Sequence, residues 1–319
     1  MKVQFSQDFR KWMEGARWKP KELAEKLGVQ RQSVHNWMEG NSMPKNQEVI
    51  YRLYQLGGDS LIIFDNPDDK PRIPKSTHYF QVHGGHALNG ELRIPGSKNG
   101  ALPMLCAALL TEETCTFTDV PEISDIGLLL GIFDQMGAKT SWDKEQKIVE
   151  VTAKNIDPTI LSESPEIRKF RASILMLGPL LARFGRVEIV QPGGCVIGAR
   201  PNDVHLNAFE ALGATITTSE FSIKCEFEKK SFDQSRVLFP EASVTATENL
   251  GMFAAGVEDE CELFFTATET HVTQTLKMLE SMGAQMSGLG THRVKIKGKK
   301  KLKGGVFKIP PDYLLAGTY

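Results

Sequence analysis

Met136-Gly137-Ala138-Lys139, Leu212-Gly213-Ala214-Thr215 and Met282-Gly283-Ala284-Gln285 are three copies of one signature. In each, a glycine ends an amphipathic run and opens a short alternating stretch, the arrangement of a helix C-cap leading into a β-hairpin. The glycines stand 76 and 70 residues apart. Upstream of each, the same order recurs. A small-residue apolar helix (101–110, 172–184, 245–256) leads to a β-rich stretch (115–120, 187–190, 261–266), and a second helix then ends at the glycine. Hairpin strands follow, as at 147–151 and 293–297. A period this long makes each copy a compact βαβαββ-like unit rather than a solenoid rung, and several must pack together to bury their helices. The expected fold from residue 78 onward is therefore α/β (α+β), with three repeats and, from Gly304 to Tyr319, the opening of a fourth. The lysine-rich run 297–304 between the third and fourth reads as a solvated loop.

Residues 1–66 read differently. Lys21 to Val29 and Gln30 to Gly40 form two short amphipathic helices in a helix-turn-helix layout, with Leu23, Ala24 and Leu27 of the first facing Val34 and Trp37 of the second. Gln30, Arg31, Gln32, Ser33, His35 and Asn36 then face outward, and these residue types read base edges and grip phosphates. A further helix is expected over 46–56. The stretch resembles the Cro/repressor-type helix-turn-helix domain, which makes Gln30, Arg31, Gln32, Ser33 and Asn36 candidates for DNA contact. Ten basic against eight acidic residues give this segment only a weak positive charge, so a small helical bundle for protein contact or dimerisation is the competing reading. Residues 67–77, polar and with three prolines, form an extended linker.

Composition narrows the class. The 319 residues are 41% hydrophobic and 24% charged with a net charge of -1, the balance of a soluble protein of two or three domains and not of a chain built for membrane or nucleic acid as a whole. With no apolar run of membrane-spanning length and no signal-peptide core at the N-terminus, the expected location is the cytoplasm. The five cysteines are scattered, without a close Cys-x-x-Cys pair, so they read as free thiols rather than disulfides or zinc ligands, and no metal or cofactor is expected.

Pro192-Gly193-Gly194-Cys195-Val196-Ile197-Gly198-Ala199-Arg200-Pro201 sets one cysteine in a glycine-rich loop beside an arginine. Backbone N–H groups and a guanidinium suit an anion, and they lower the pKa of a neighbouring thiol. Read alone, the loop reads first as a buried cysteine in a turn, since free cysteine is among the most buried residue types.

This loop, together with Ile94-Pro95-Gly96-Ser97-Lys98-Asn99-Gly100-Ala101-Leu102-Pro103, Phe170-Arg171-Ala172-Ser173 and Glu241-Ala242-Ser243-Val244-Thr245-Ala246-Thr247-Glu248-Asn249, resembles the UDP-N-acetylglucosamine 1-carboxyvinyltransferase family of enolpyruvyl transferases over 78–319. The resemblance implies an inside-out α/β barrel and transfer of enolpyruvyl from phosphoenolpyruvate to the 3-hydroxyl of UDP-N-acetylglucosamine, the first committed step of peptidoglycan synthesis. It implies that Lys98, Asn99 and Arg200 meet phosphoenolpyruvate. Arg171, Arg200, Pro201, Asn202, Asp203, Val204, Glu241, Ala242, Ser243 and Val244 are implied to meet the nucleotide sugar. Cys195 is implied as the general acid, open to alkylation by the epoxide fosfomycin. Glu241 stands where other members carry lysine or an apolar residue, which favours backbone contact there. His205 is left outside the catalytic set. The sister family acting on shikimate 3-phosphate shares the repeats and the opening lysine but lacks the cysteine loop. A complete member has six repeats, so this chain is expected to be a partial enzyme that does not turn over alone, with the other half as a possible separate partner. The competing reading is a DNA-binding regulator that senses a nucleotide sugar.

Overall fold

The computed structural model describes residues 2–42, 44, 49, 53, 89–164, 166–167, 171–192, 202–219, 221–228 and 231–318. The chain divides into two compact units, Met1–Gly90 and Glu91–Tyr319. The expected domain limits at 66 and 78, and the linker between them, lie outside the described residues.

In the first unit, α1 (Lys2–Gly15), α2 (Pro20–Leu27) and α3 (Arg31–Met38) enclose a small core. Pro20 opens α2 at a position where no N–H is missed, and Gly28 closes it in the left-handed region at φ 68°, turning the chain into α3. Leu23, Ala24, Leu27, Val34 and Trp37 pack together as their spacing predicts. The sequence reading did not identify α1, yet its Phe9 and Met13 complete the core, with the Phe9 ring edge-on to Trp37 at 5.9 Å. Most of the helix expected over 46–56 lies outside the described residues; Val49 and Leu53 pack on this same core.

The second unit carries three sheets. The first has the order β11 (Gly305–Lys308), β1 (Cys115–Thr118), β3 (Ile148–Thr152), β2 (Lys139–Asp143); the second β4 (Arg186–Val190), β6 (Ser222–Glu226), β5 (Thr215–Thr218); the third β7 (Arg236–Leu238), β8 (Glu260–Phe264), β10 (Arg293–Lys297), β9 (Gln285–Ser287). Pairings are antiparallel except at one edge, where β11 runs parallel to β1 and β7 parallel to β8. Strands such as β3 and β10 alternate buried and exposed positions, so one face of each sheet lies on the core. In the second sheet a 3-10 helix, Pro158–Ser162, lies beside β4 where the other two carry a parallel strand. The lysine run ends β10 and continues as a loop whose lysines are exposed around buried Leu302.

The three glycines of the repeat signature have φ of 94°, 98° and 122°, a region closed to most side chains, and each ends the second helix of its repeat: α5 (Ser124–Gln135), α7 (Asp203–Ala211) and α9 (Thr270–Met282). The first helices lie inside. They are α4 (Lys98–Ala107) with the 3-10 turn Ala108–Leu110, the 3-10 helix Arg171–Met176 running into α6 (Leu177–Phe184), and α8 (Val244–Gly256). Every residue from 246 to 255 of α8, and from 100 to 107 of α4, is buried, so both helices are packed on every face. A short further helix, α10 (Tyr313–Thr318), follows β11.

These inner helices run parallel. Asn249, midway along α8, bonds to Gly178 and Ile174 in the middle and first half of the second; Gly256, at the end of α8, packs against Ala182 and Leu110, at the ends of the other two. Arg183 closes that C-terminal end. Its guanidinium donates to the carbonyls of Leu109 (3.0 Å), Ala153 (2.5 Å) and Lys154 (2.9 Å), placing a cation at the carbonyl end of the first inner helix. No helix among the described residues is long and apolar enough to cross a membrane.

Candidate functional site

Parallel inner helices of nearly equal length that share one end also share the other. At that opposite end stand Lys98 and Asn99, the first two residues of α4, then Arg171, the first of its helix, and Ser243 and Val244, the N-cap and first residue of α8. The outer helices bring their own starts to the same end. Lys98 Nζ meets Asp125 Oδ2 of α5 at 2.5 Å, His205 of α7 meets Thr245 of α8, and His271 of α9 packs against Gly100 of α4. Six helix N-termini thus converge, and unpaired N–H groups with aligned dipoles favour an anion there.

The residues proposed from sequence fall into three sets. Lys98 and Asn99 are exposed on the first turn of α4, which Ser97 caps through a bond from the Gly100 N–H. The Asp125 partner of Lys98 was missed by the sequence reading. Asn202, Asp203 and Val204 begin α7, while Glu241 and Ala242 lie exposed ahead of Ser243, whose hydroxyl caps α8 at Ala246. Cys195, Arg200 and Pro201 lie outside the described residues, as does Phe170.

One hydrogen bond joins the residues that directly follow the two stretches proposed for the nucleotide, some forty residues apart in sequence. His205 Nε2 and Thr245 Oγ1 stand 3.0 Å apart. His205 is 2% exposed, and burial, with Arg171 nearby, pushes its pKa down to about 3, so the ring is neutral at physiological pH. Its other nitrogen faces Asn249 Nδ2 at 3.1 Å. Asn202 Oδ1 is buried with no partner among the described residues.

A second polar cluster lies beside the first turn of α4. Both ring nitrogens of His271, Glu248 Oε1 and Glu269 Oε2 are buried without hydrogen-bond partners among the described residues. Burial lowers the His271 pKa and raises that of Glu248, each toward its neutral form. The His271 ring stacks on Tyr313 at 6.0 Å. A cavity of about 550 Å³ lies elsewhere, beside β4, lined by Asp157, Thr159, Arg186 and Lys224, and contains none of the residues proposed for the site.

Repeated α/β units, closed around buried parallel helices whose N-termini meet at one end, define the enolpyruvyl transferase class of fold. The enolpyruvyl transferase NikO from Streptomyces tendae superposes on 74% of this chain with a TM-score of 0.62 at 20% identity. EPSP synthase from Acinetobacter baumannii does so over 71% with a TM-score of 0.57, also at 20% identity. At these identities the likeness is one of fold, and the chain spans about half the length of each, 55% and 51%. By sequence, the chain belongs to the EPSP synthase (3-phosphoshikimate 1-carboxyvinyltransferase) family, whose profile matches residues 82–319.

Proposed function

We propose that residues 78–319 bind phosphoenolpyruvate and UDP-N-acetylglucosamine and serve transfer of the enolpyruvyl group to the sugar 3-hydroxyl, a step of peptidoglycan synthesis. The convergence of helix N-termini carries this reading, because both ligands are anions and those of the proposed contacts that lie among the described residues stand at that end. The choice of the nucleotide sugar over shikimate 3-phosphate is supported by the cysteine loop of the sequence, which the sister family lacks. In this reading Lys98, Asn99 and Arg200 hold the phosphate and carboxylate of phosphoenolpyruvate. Arg171, residues 200–204 and 241–244 take the nucleotide sugar. The Cys195 thiol gives its proton to the methylene carbon, the sugar hydroxyl adds to the cationic carbon that results and loses its own proton, and the adduct then expels phosphate as its methyl group gives up a proton, which restores the double bond.

The four described cysteines sharpen the test. Cys106, Cys115, Cys225 and Cys261 are buried, and burial pushes the thiols of Cys115, Cys225 and Cys261 up to about 12 and that of Cys106 higher. Thiols held protonated are poor nucleophiles. Fosfomycin should therefore label the native chain at Cys195 alone and leave Cys195→Ser unlabelled; peptide mapping that finds the label on Cys106 or Cys225 of folded protein removes the assignment. Calorimetric titration with UDP-N-acetylglucosamine and, separately, shikimate 3-phosphate tests the acceptor. Binding of the second alone overturns the choice.

The first unit favours a second reading, a DNA-binding regulator under nucleotide-sugar control. At the N-cap and along α3, Gln30, Arg31, Gln32 and His35 are exposed and Ser33 and Asn36 half-buried, while Val34 and Trp37 are buried, with Gln32 donating to Asn36 at 3.1 Å. If this face grips DNA, Arg31→Ala weakens binding and reduces the salt slope by about one ion. A mobility shift that never forms at low salt with genomic fragments sinks this reading.

A further inference from the structure

The amide of Asn249 is wholly buried and fixed from two sides. The Gly178 N–H donates to Oδ1 at 2.7 Å, and Nδ2 donates to the Ile174 carbonyl at 2.9 Å, which settles which end of the carboxamide is nitrogen. One N–H of Nδ2 is left, and it faces His205 Nδ1 at 3.1 Å. An amide nitrogen only donates, so Nδ1 is the bare, accepting nitrogen of the ring. The proton of the neutral imidazole then sits on Nε2, which faces Thr245 Oγ1 at 3.0 Å. Thr245 therefore accepts from His205 and keeps its own hydroxyl hydrogen to give. The opposite tautomer sets two donors against each other at Nδ1 and leaves Nε2 without a hydrogen to share.

Thr245 is half-buried, in the first turn of α8 beside Ser243 and Val244, and its hydroxyl has no other hydrogen-bond partner among the described residues. We propose that Asn249 is a positioning residue that sets the direction of this proton chain, and that Thr245 is a specificity-determining donor to an acceptor oxygen of the bound nucleotide. The donor role rests on the nucleotide-sugar reading above; the direction of the chain does not. A ligand with a hydrogen-bond donor at that point meets a second donor and is disfavoured.

Two measurements on the full chain test this. Nitrogen-15 NMR of the histidine rings, with His205 assigned by its loss in His205→Gln, should find Nε2 protonated and Nδ1 bare at neutral pH without ligand. Calorimetry with UDP-N-acetylglucosamine should find Thr245→Val about tenfold weaker than wild type, as for one lost hydrogen bond, and Thr245→Ser close to wild type. An Nδ1–H or charged ring overturns the inference whatever the chain binds. Unchanged affinity in Thr245→Val overturns the donor role. A wild-type chain that binds no nucleotide sugar overturns the functional reading, and the donor role with it, while the tautomer result stands.

Discussion

Arg183→Met should cost about 3–5 kcal/mol of stability, the larger of the two effects expected, because one side chain serves carbonyls from two separate chain segments. Leu109 and Thr111 (3.5 Å) belong to the end of the first inner helix, Ala153 and Lys154 to the chain leaving β3. The side chain is 15% exposed, and its ion pair with Glu112 at 3.7 Å reaches a partner that is 66% exposed. Such a pair contributes under about 1 kcal/mol, so the bonds to backbone decide the outcome. Burial lowers the Arg183 pKa, but a guanidinium keeps its charge. Methionine fills much of the same volume and satisfies none of the carbonyls. Arg183→Lys should fall between, since an ammonium lacks the planar fork that spans both segments. Native-state hydrogen exchange in segment 98–110 measures the loss directly; a methionine variant within about 1 kcal/mol of wild type refutes the account.

Helix ends that demand a left-handed residue were legible in sequence, because Gly137, Gly213 and Gly283 meet that demand with no steric cost. The inner helices were legible as runs of small apolar residues, since a helix buried on every face leaves no polar stripe. The pairing of β11 with β1 was not: Phe117 and Phe307 stand side by side, 190 residues apart in sequence, and no local pattern encodes such a contact. Nor was the replacement of an edge strand by Pro158–Ser162. In the first unit, Phe5, Phe9, Trp12 and Met13 already carry helical spacing, so α1 was there to be found. At the site, Lys98 and Arg171 came from motifs that mark helix starts. Asp125, Thr245 and Asn249 were passed over, because what distinguishes them is a partner across a packing interface.

The structure orders its charges by helix polarity. A cation closes the carbonyl end of the first inner helix, and the N–H end is left to the proposed anions. Stability and binding therefore depend on how closely those helices approach.

Gly178→Ala tests that approach and should cost about 1–3 kcal/mol. A methyl group there would overlap the Asn249 carbonyl oxygen and come within 2.6 Å of Asn249 Oδ1, and both belong to a fully buried residue that cannot swing aside. Overpacking of this kind costs about 1–3 kcal/mol. Losing the bond from the Gly178 N–H to Oδ1 adds about 1 kcal/mol. Alanine's better helix propensity returns about 1 kcal/mol, too little to change the sign. Gly131 in α5 supplies the control, because nothing lies within 4 Å of a methyl placed there. Gly131→Ala should stabilise by about 0.5–1 kcal/mol through helix propensity alone. Denaturation of the two variants side by side must give opposite signs; Gly178→Ala at wild-type stability means that the two helices do not need this contact. The same variant carries a second readout. Displacing Asn249 frees His205 Nδ1, so the single ring tautomer of the wild type should become a mixture in folded Gly178→Ala protein, at a site that the new methyl group does not touch.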